Sequence, residues 1–256
     1  MDSLVFYNLG RLASTSEINL RGMQSTIVLF LGKHFINACK SLGLNIELVD
    51  VLEPEAFEKH KDELEMLVKY IKSVNNLCSK GGWNTKHIDM FLKDFGVCVD
   101  IGVIETIEEL LDAFKKLKEI TNPFSFNLIC NGLINIYFVS NGYIKYPVID
   151  CVKELSDSGI INSLESSLHM INQVKNLVKN DKKKLLNYTK SVPNMFEYAI
   201  TNPVFDVGMS IEDTNLSFAT ASKVVGILEK ENILEKISGN MRYRVYKYTA
   251  LLNLFK

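Results

Sequence analysis

The chain has no C-x-x-C pair, one tryptophan, five prolines and four histidines in 256 residues, and each scarcity narrows its chemistry. The cysteines (Cys39, Cys78, Cys98, Cys130 and Cys151) are odd in number and widely spaced. That pattern argues against a zinc ribbon or a thioredoxin-like redox pair and suits free thiols in a reducing compartment. No P-loop, G-x-G-x-x-G, H-E-x-x-H or G-x-S-x-G occurs, so no phosphate cradle, zinc helix or nucleophile elbow is signalled. The sequence therefore nominates no catalytic residue, no metal ligand and no cofactor. No apolar run approaches the roughly 20 residues of a membrane-spanning helix. The most apolar early stretch is Ile27 to Leu31, and MDSLVFYNLGRL lacks the basic and apolar regions of a secretory leader. The expected setting is the cytoplasm, with no membrane partner.

Net charge is only −1, but it is unevenly shared. Residues 175–256 carry 13 Lys and Arg against 8 Asp and Glu, while residues 1–174 carry 16 against 22. A modestly basic module on an acidic body suits a nucleic-acid partner, ordinary scatter being the alternative.

The expected fold class is mainly α: a helical body over residues 1–180, then a winged helix-turn-helix with a small β-hairpin over residues 190–256. In the body, Ile27, Phe30, Leu31, Phe35 and Ala38 recur at helical spacing, with Gly43 as a stop. Pro54 opens a second helix that runs toward Ser79 and ends at Gly81-Gly82 before Trp83, and Thr85 to Phe95 repeats the pattern. Val97 to Ile104 is β-branched and reads as a strand. Thr106, with Glu109 three residues on, predicts a capping box. Asn127, Asn131 and Asn135 punctuate the apolar segment Phe124 to Phe138 at every fourth position, which reads as a polar helix edge. Pro147 to Glu154 and Ile160 to Val178 read as helices, and Lys179 to Lys190 as a linker.

The C-terminal stretch carries the functional signal. A helix from Met195 ends before Asn202-Pro203, a short one covers Ile211 to Asn215, and Leu216-Ser217 makes a turn. Ser217 caps a third helix, Phe218 to Glu231, with Ala221, Val224, Val225 and Leu228 as its buried stripe. Ile233 to Ile237 and Tyr243 to Tyr248, separated by Ser238-Gly239-Asn240, read as a hairpin, the wing.

Asn232-Ile233-Leu234, Ser238-Gly239, Arg242-Tyr243-Arg244, Val245-Tyr246-Lys247-Tyr248 and Leu251 to Phe255 also follow a known order. The stretch resembles the winged-helix domain found at the C-terminus of many Fic-family proteins. That resemblance covers about a quarter of the chain and implies a domain type rather than an activity. The family's catalytic motif, HPFx(D/E)GNGRxxR, is not present. His34, His60, His87 and His169 are followed by neither a glycine-rich turn nor an arginine. The nearest remnants are Asn122-Pro123-Phe124 and Ser140-Asn141-Gly142, and a neutral Asn122 in place of the base cannot accept a proton from a hydroxyl.

In a winged helix the third helix enters the major groove by its N-terminal half, and the wing reaches the backbone or minor groove. The expected DNA-contacting residues are Phe218, Thr220, Ser222 and Lys223 on the helix, with Lys230 beyond them, and Asn240, Arg242 and Arg244 on the wing. Lys182, Lys183 and Lys184 would add phosphate contacts. The expected function is a DNA-binding regulatory protein, with duplex DNA as partner and the body serving dimerisation, as a homodimer, or ligand or partner sensing. The alternative is a catalytically degenerate Fic-like protein that binds a protein partner, or an active nucleotidyl (AMP) transferase with an altered motif.

Overall fold

The computed structural model describes residues 20–47, 60–79, 85–150, 152–237 and 244–256. Expectations for the first nineteen residues, for Pro54, for Trp83 and for the turn Ser238-Gly239-Asn240 lie outside these described residues. Within them the protein is mainly helical, with ten helices and one small antiparallel sheet of three strands. Two compact units are distinguished. Among the described residues, the first is built from Ile27–Ile46 and His60–His169, and the second centres on Met170–Lys256.

The first unit contains α1 (Leu20–Ser41, from Ile27 on), α2 (Lys61–Ser79), α3 (Thr85–Asp94), α4 (Ile107–Ile120), α5 (Pro123–Ser140) and the start of α6 (Asp157–Lys184). The core is organised by α5. Apart from a stripe of asparagines its sequence is apolar on every side, and every side chain from Leu128 to Phe138 is buried, as such a helix requires. Asn122 caps it by accepting from the Ser125 N–H at 2.9 Å, and Pro123 occupies the first turn where a missing donor costs nothing. Both α2 and α4 pack against α5. The absence of a side chain at Gly132 lets Phe91 of α3 sit close, since a Cβ there would lie 2.4 Å from the ring. Phe91 continues edge-to-face to Phe95, and Phe95 to Tyr70. The capping box of α4 forms: Thr106 Oγ1 accepts from Glu109 N–H, and Glu109 accepts from the Thr106 and Glu105 N–H groups. Those backbone donors hold the Glu109 carboxyl below its ordinary range.

Two sequence readings in this unit are corrected. Val97 to Ile104 is not a strand. Asp100 accepts from the Gly102 N–H at 2.8 Å and Gly102 takes a φ of 77°, a side-chain-closed turn that interrupts an extended run. Val97, Ile101 and Ile104 are nonetheless buried, so their apolar character serves the core rather than a ladder. Pro147 to Glu154 is not a helix, because its backbone groups are bonded by side chains from other elements, described below.

The second unit contains the rest of α6, then α7 (Ser191–Thr201), β1 (Val204–Asp206), α8 (Val207–Thr214), α9 (Phe218–Lys230), β2 (Glu235–Lys236), β3 (Val245–Lys247) and α10 (Thr249–Asn253). The helix α6 continues through Lys184, so the first residues of the stretch read as a linker are its last turns. The strand β1 is not legible in the sequence. It pairs with β3 at Phe205↔Tyr246, β2 pairs with the other side of β3 at Lys236↔Tyr246, and the sheet order is β1-β3-β2. The Tyr248 N–H to Pro203 carbonyl bond, 2.8 Å, extends the first pairing by one rung.

Candidate nucleic-acid interface

Each part of the α8–α9 corner has a local cause. Asp206 caps α8 by accepting from the Met209 N–H at 2.9 Å, and Asn215 ends it in the left-handed region at φ 54°, a conformation asparagine tolerates. Ser217 then caps α9 by accepting from the Thr220 N–H at 3.3 Å, and its hydroxyl also lies 2.9 Å from that of Thr220. Ala221, Val224, Val225 and Leu228 form the buried stripe of α9, and both α7 and α8 pack against this helix. With that stripe inward, the opposite arc is left to solvent. Phe218 is 61 % exposed, and Ala219, Thr220, Ser222, Lys223, Gly226 and Lys230 are exposed with it. Of the expected contact residues, Phe218, Thr220, Ser222 and Lys223 therefore share one helix and reach solvent together.

On the hairpin, Arg244 is exposed immediately before β3, while Asn240 and Arg242 lie outside the described residues. Lys223, Lys230 and Arg244 make no ion pair among the described residues. By contrast, Lys247 is paired with Glu235 at 3.4 Å, and Thr249 together with Lys247 holds that carboxyl low. The lysines at the end of α6 divide: Lys182 pairs with Glu197 at 3.4 Å, Lys184 with Asp181 at 2.6 Å, and Lys183 is exposed. Acidic groups border the same region. Glu212 and Asp213 are exposed on α8 and Glu229 on α9, while Glu231 accepts from the Tyr188 hydroxyl at 2.6 Å.

A second polar constellation, in the first unit, was not read from the sequence. Residues 148–150 and 152 have no regular secondary structure, and side chains bond to backbone groups of three of them. Asn135 Oδ1 accepts from the Ile149 N–H at 2.9 Å, and Asn131 Oδ1 from the Val152 N–H at 3.1 Å. Ser167 Oγ accepts from the Asp150 N–H at 2.7 Å. His34 Nε2 donates to the Ile149 carbonyl at 2.8 Å, which leaves Nδ1 as a buried acceptor without a partner among the described residues. Asp150 receives Ser166 Oγ at 3.0 Å and Lys33 Nζ at 3.5 Å. Burial holds the His34 imidazole below its ordinary value, against the raising effect of Asp150 and of the Ile149 carbonyl. Asn127 is exposed, as a polar helix edge requires, but Asn131 and Asn135 are buried and fasten an irregular segment to α5.

No family model matches the chain, and no curated protein matches it. The chemistry must therefore be read from these residues. The arc on α9 offers an aromatic ring, two hydroxyls and cations outside any ion pair among the described residues, groups suited to contacting phosphates and base edges. Among the described residues, no group of three or more His, Cys, Asp or Glu is placed to hold a metal ion. Asn122 and Asn141-Gly142, the expected remnants of a catalytic motif, stand at the two ends of α5 as its caps.

Proposed function

We propose that residues from α7 to α10 act as a winged helix-turn-helix that binds duplex DNA, in a regulatory protein whose helical body serves dimerisation or the sensing of a ligand or partner. One observation carries the reading. The order helix, strand, helix, three-residue turn, helix, strand, strand, with the first strand paired to the last, is the arrangement in which a third helix and a hairpin can engage DNA together. Support comes from the exposed arc of α9 and from Lys223, Lys230 and Arg244, which no carboxylate among the described residues neutralises.

The test is fluorescence anisotropy of a labelled duplex across a salt series. Replacing Arg242 and Arg244 together by alanine should weaken binding and reduce the salt slope by about 0.9 for each phosphate that is no longer neutralised. Unchanged affinity and unchanged slope reject the wing's role.

A second reading is favoured by the exposed Met209, Glu212 and Asp213 on α8, which suit a protein surface better than a phosphate backbone. In that reading the chain is a Fic-like protein without transferase chemistry that holds a protein partner. It predicts capture of a protein independent of nucleotide and no duplex affinity. Nucleotidyl transfer by an altered motif would be revealed by a labelled band after incubation with labelled ATP and a lysate.

A further inference from the structure

We infer that α9 reads thymine methyl groups, so that the favoured duplex is rich in A·T pairs with thymines facing the helix in the major groove. This rests on the DNA-binding reading above and names its substrate class. The first turn of α9 carries neither an acidic nor a basic side chain. It presents Phe218, Ala219 and Thr220, three consecutive exposed residues. At about 100° per residue they fan across the whole solvent arc, Phe218 at one border, Thr220 at the other and Ala219 between. However the N-terminal turn is rolled in a groove, an apolar group therefore meets the base edges first. The Thr220 hydroxyl lies 2.9 Å from that of Ser217 in the cap, so part of its hydrogen-bonding capacity is used locally, whereas the methyl group is open to a partner.

Charge placement agrees with this. The first cation on the helix is Lys223, and Lys230 follows in the last turn. Guanine is read through its O6 and N7 acceptors by arginine or lysine, neither of which stands in the first turn; alanine, the threonine methyl and phenylalanine instead suit the thymine C5-methyl. Lys223, Lys230 and Arg244 remain for phosphates, which position the helix without reading sequence.

The experiment uses the full chain and three fluorescein-labelled duplexes of equal length: one rich in A·T pairs, the same sequence with deoxyuridine in place of every thymidine, and one made of G·C pairs. Deoxyuridine pairs identically and removes only the methyl. The A·T duplex should bind tightest, with a loss of about fourfold per recognised methyl on going to deoxyuridine, the value of burying one methylene-sized group. Thr220→Ser keeps the cap hydroxyl and removes one methyl. It should weaken binding to the thymine duplex by about fourfold and leave the deoxyuridine duplex unchanged, and Phe218→Ala should shrink the same difference. Equal affinity for the thymine and deoxyuridine duplexes overturns the inference and leaves DNA binding standing. A loss in Phe218→Ala and Thr220→Ser that is the same on both duplexes also overturns it. Absence of affinity for all three duplexes overturns the DNA-binding reading itself.

Discussion

Replacing Tyr248 by phenylalanine removes one oxygen and tests how the second unit is held together. The Tyr248 hydroxyl donates to Asp181 Oδ2 at 2.5 Å, and Lys184 Nζ reaches the other carboxylate oxygen at 2.6 Å. Asp181 lies in the last turn of α6 with a side chain only 5 % exposed. A carboxylate there is opposed twice, by the negative end of the helix dipole and by loss of water, so its two donors must compensate. The phenol is matched to the task, because burial first and the Asp181 carboxylate second raise its pKa far above the ordinary value and keep it a donor. The ring would stay in place against Phe196, 6.0 Å away centroid to centroid.

A charge-assisted bond contributes about 1.5–3 kcal/mol, and leaving a buried carboxylate with one donor puts the cost near the upper end, about 3 kcal/mol. For a unit of this size that is a fall in melting temperature of roughly 12–24 °C. Calorimetry of the full chain measures the shift, and hydrogen exchange followed by mass spectrometry assigns it to peptides within residues 170–256. In an Asp181→Leu background the hydroxyl has lost its acceptor, so Tyr248→Phe should there be neutral or stabilising. A melting temperature that does not move in the wild-type background, or an equal loss in both, refutes the reasoning.

Two further outcomes concern the first unit. His34 is neutral when folded with its pKa lowered by burial, so the unfolded chain binds more protons. The stability tied to it is present above the unfolded value near 6.5 and is lost as pH falls below that toward the folded value. His34→Gln, whose amide can still donate to the Ile149 carbonyl, should flatten the decline, read as urea midpoint against pH. Gly132→Ala drives a Cβ to within 2.4 Å of the buried Phe91 ring and should cost about 1–3 kcal/mol in chemical denaturation, part of it recovered by adding Phe91→Leu.

What was legible in the sequence were the features fixed by near neighbours. The Thr106–Glu109 box, the Gly43 stop at positive φ, the Ser217 cap and the α9 stripe depend on residues a few positions apart, and each formed as spacing requires. The misread elements depend on partners far along the chain. Nothing in Val204–Phe205–Asp206 announces a strand until β3, some forty residues on, supplies Tyr246. Val97 to Ile104 has the composition of a strand, but the Asp100–Gly102 turn decides its backbone.

The Asn127, Asn131 and Asn135 spacing shows the same limit at the level of a site. A four-residue period fixes which side of a helix the amides share, yet it cannot say whether that side meets water or an irregular strand of backbone. Here it meets backbone: Asn131 and Asn135 receive the N–H groups of Val152 and Ile149, which no helix or sheet serves. A buried N–H without an acceptor costs about 1–3 kcal/mol, so the pair supplies what a helix over Pro147 to Glu154 would otherwise have provided internally. The residues that look most like a polar site in the body are therefore occupied in holding it. The exposed arc of α9 differs in this respect, since Phe218, Ser222 and Lys223 stand in solvent and their side chains make no bond among the described residues, so a partner can engage them without breaking one.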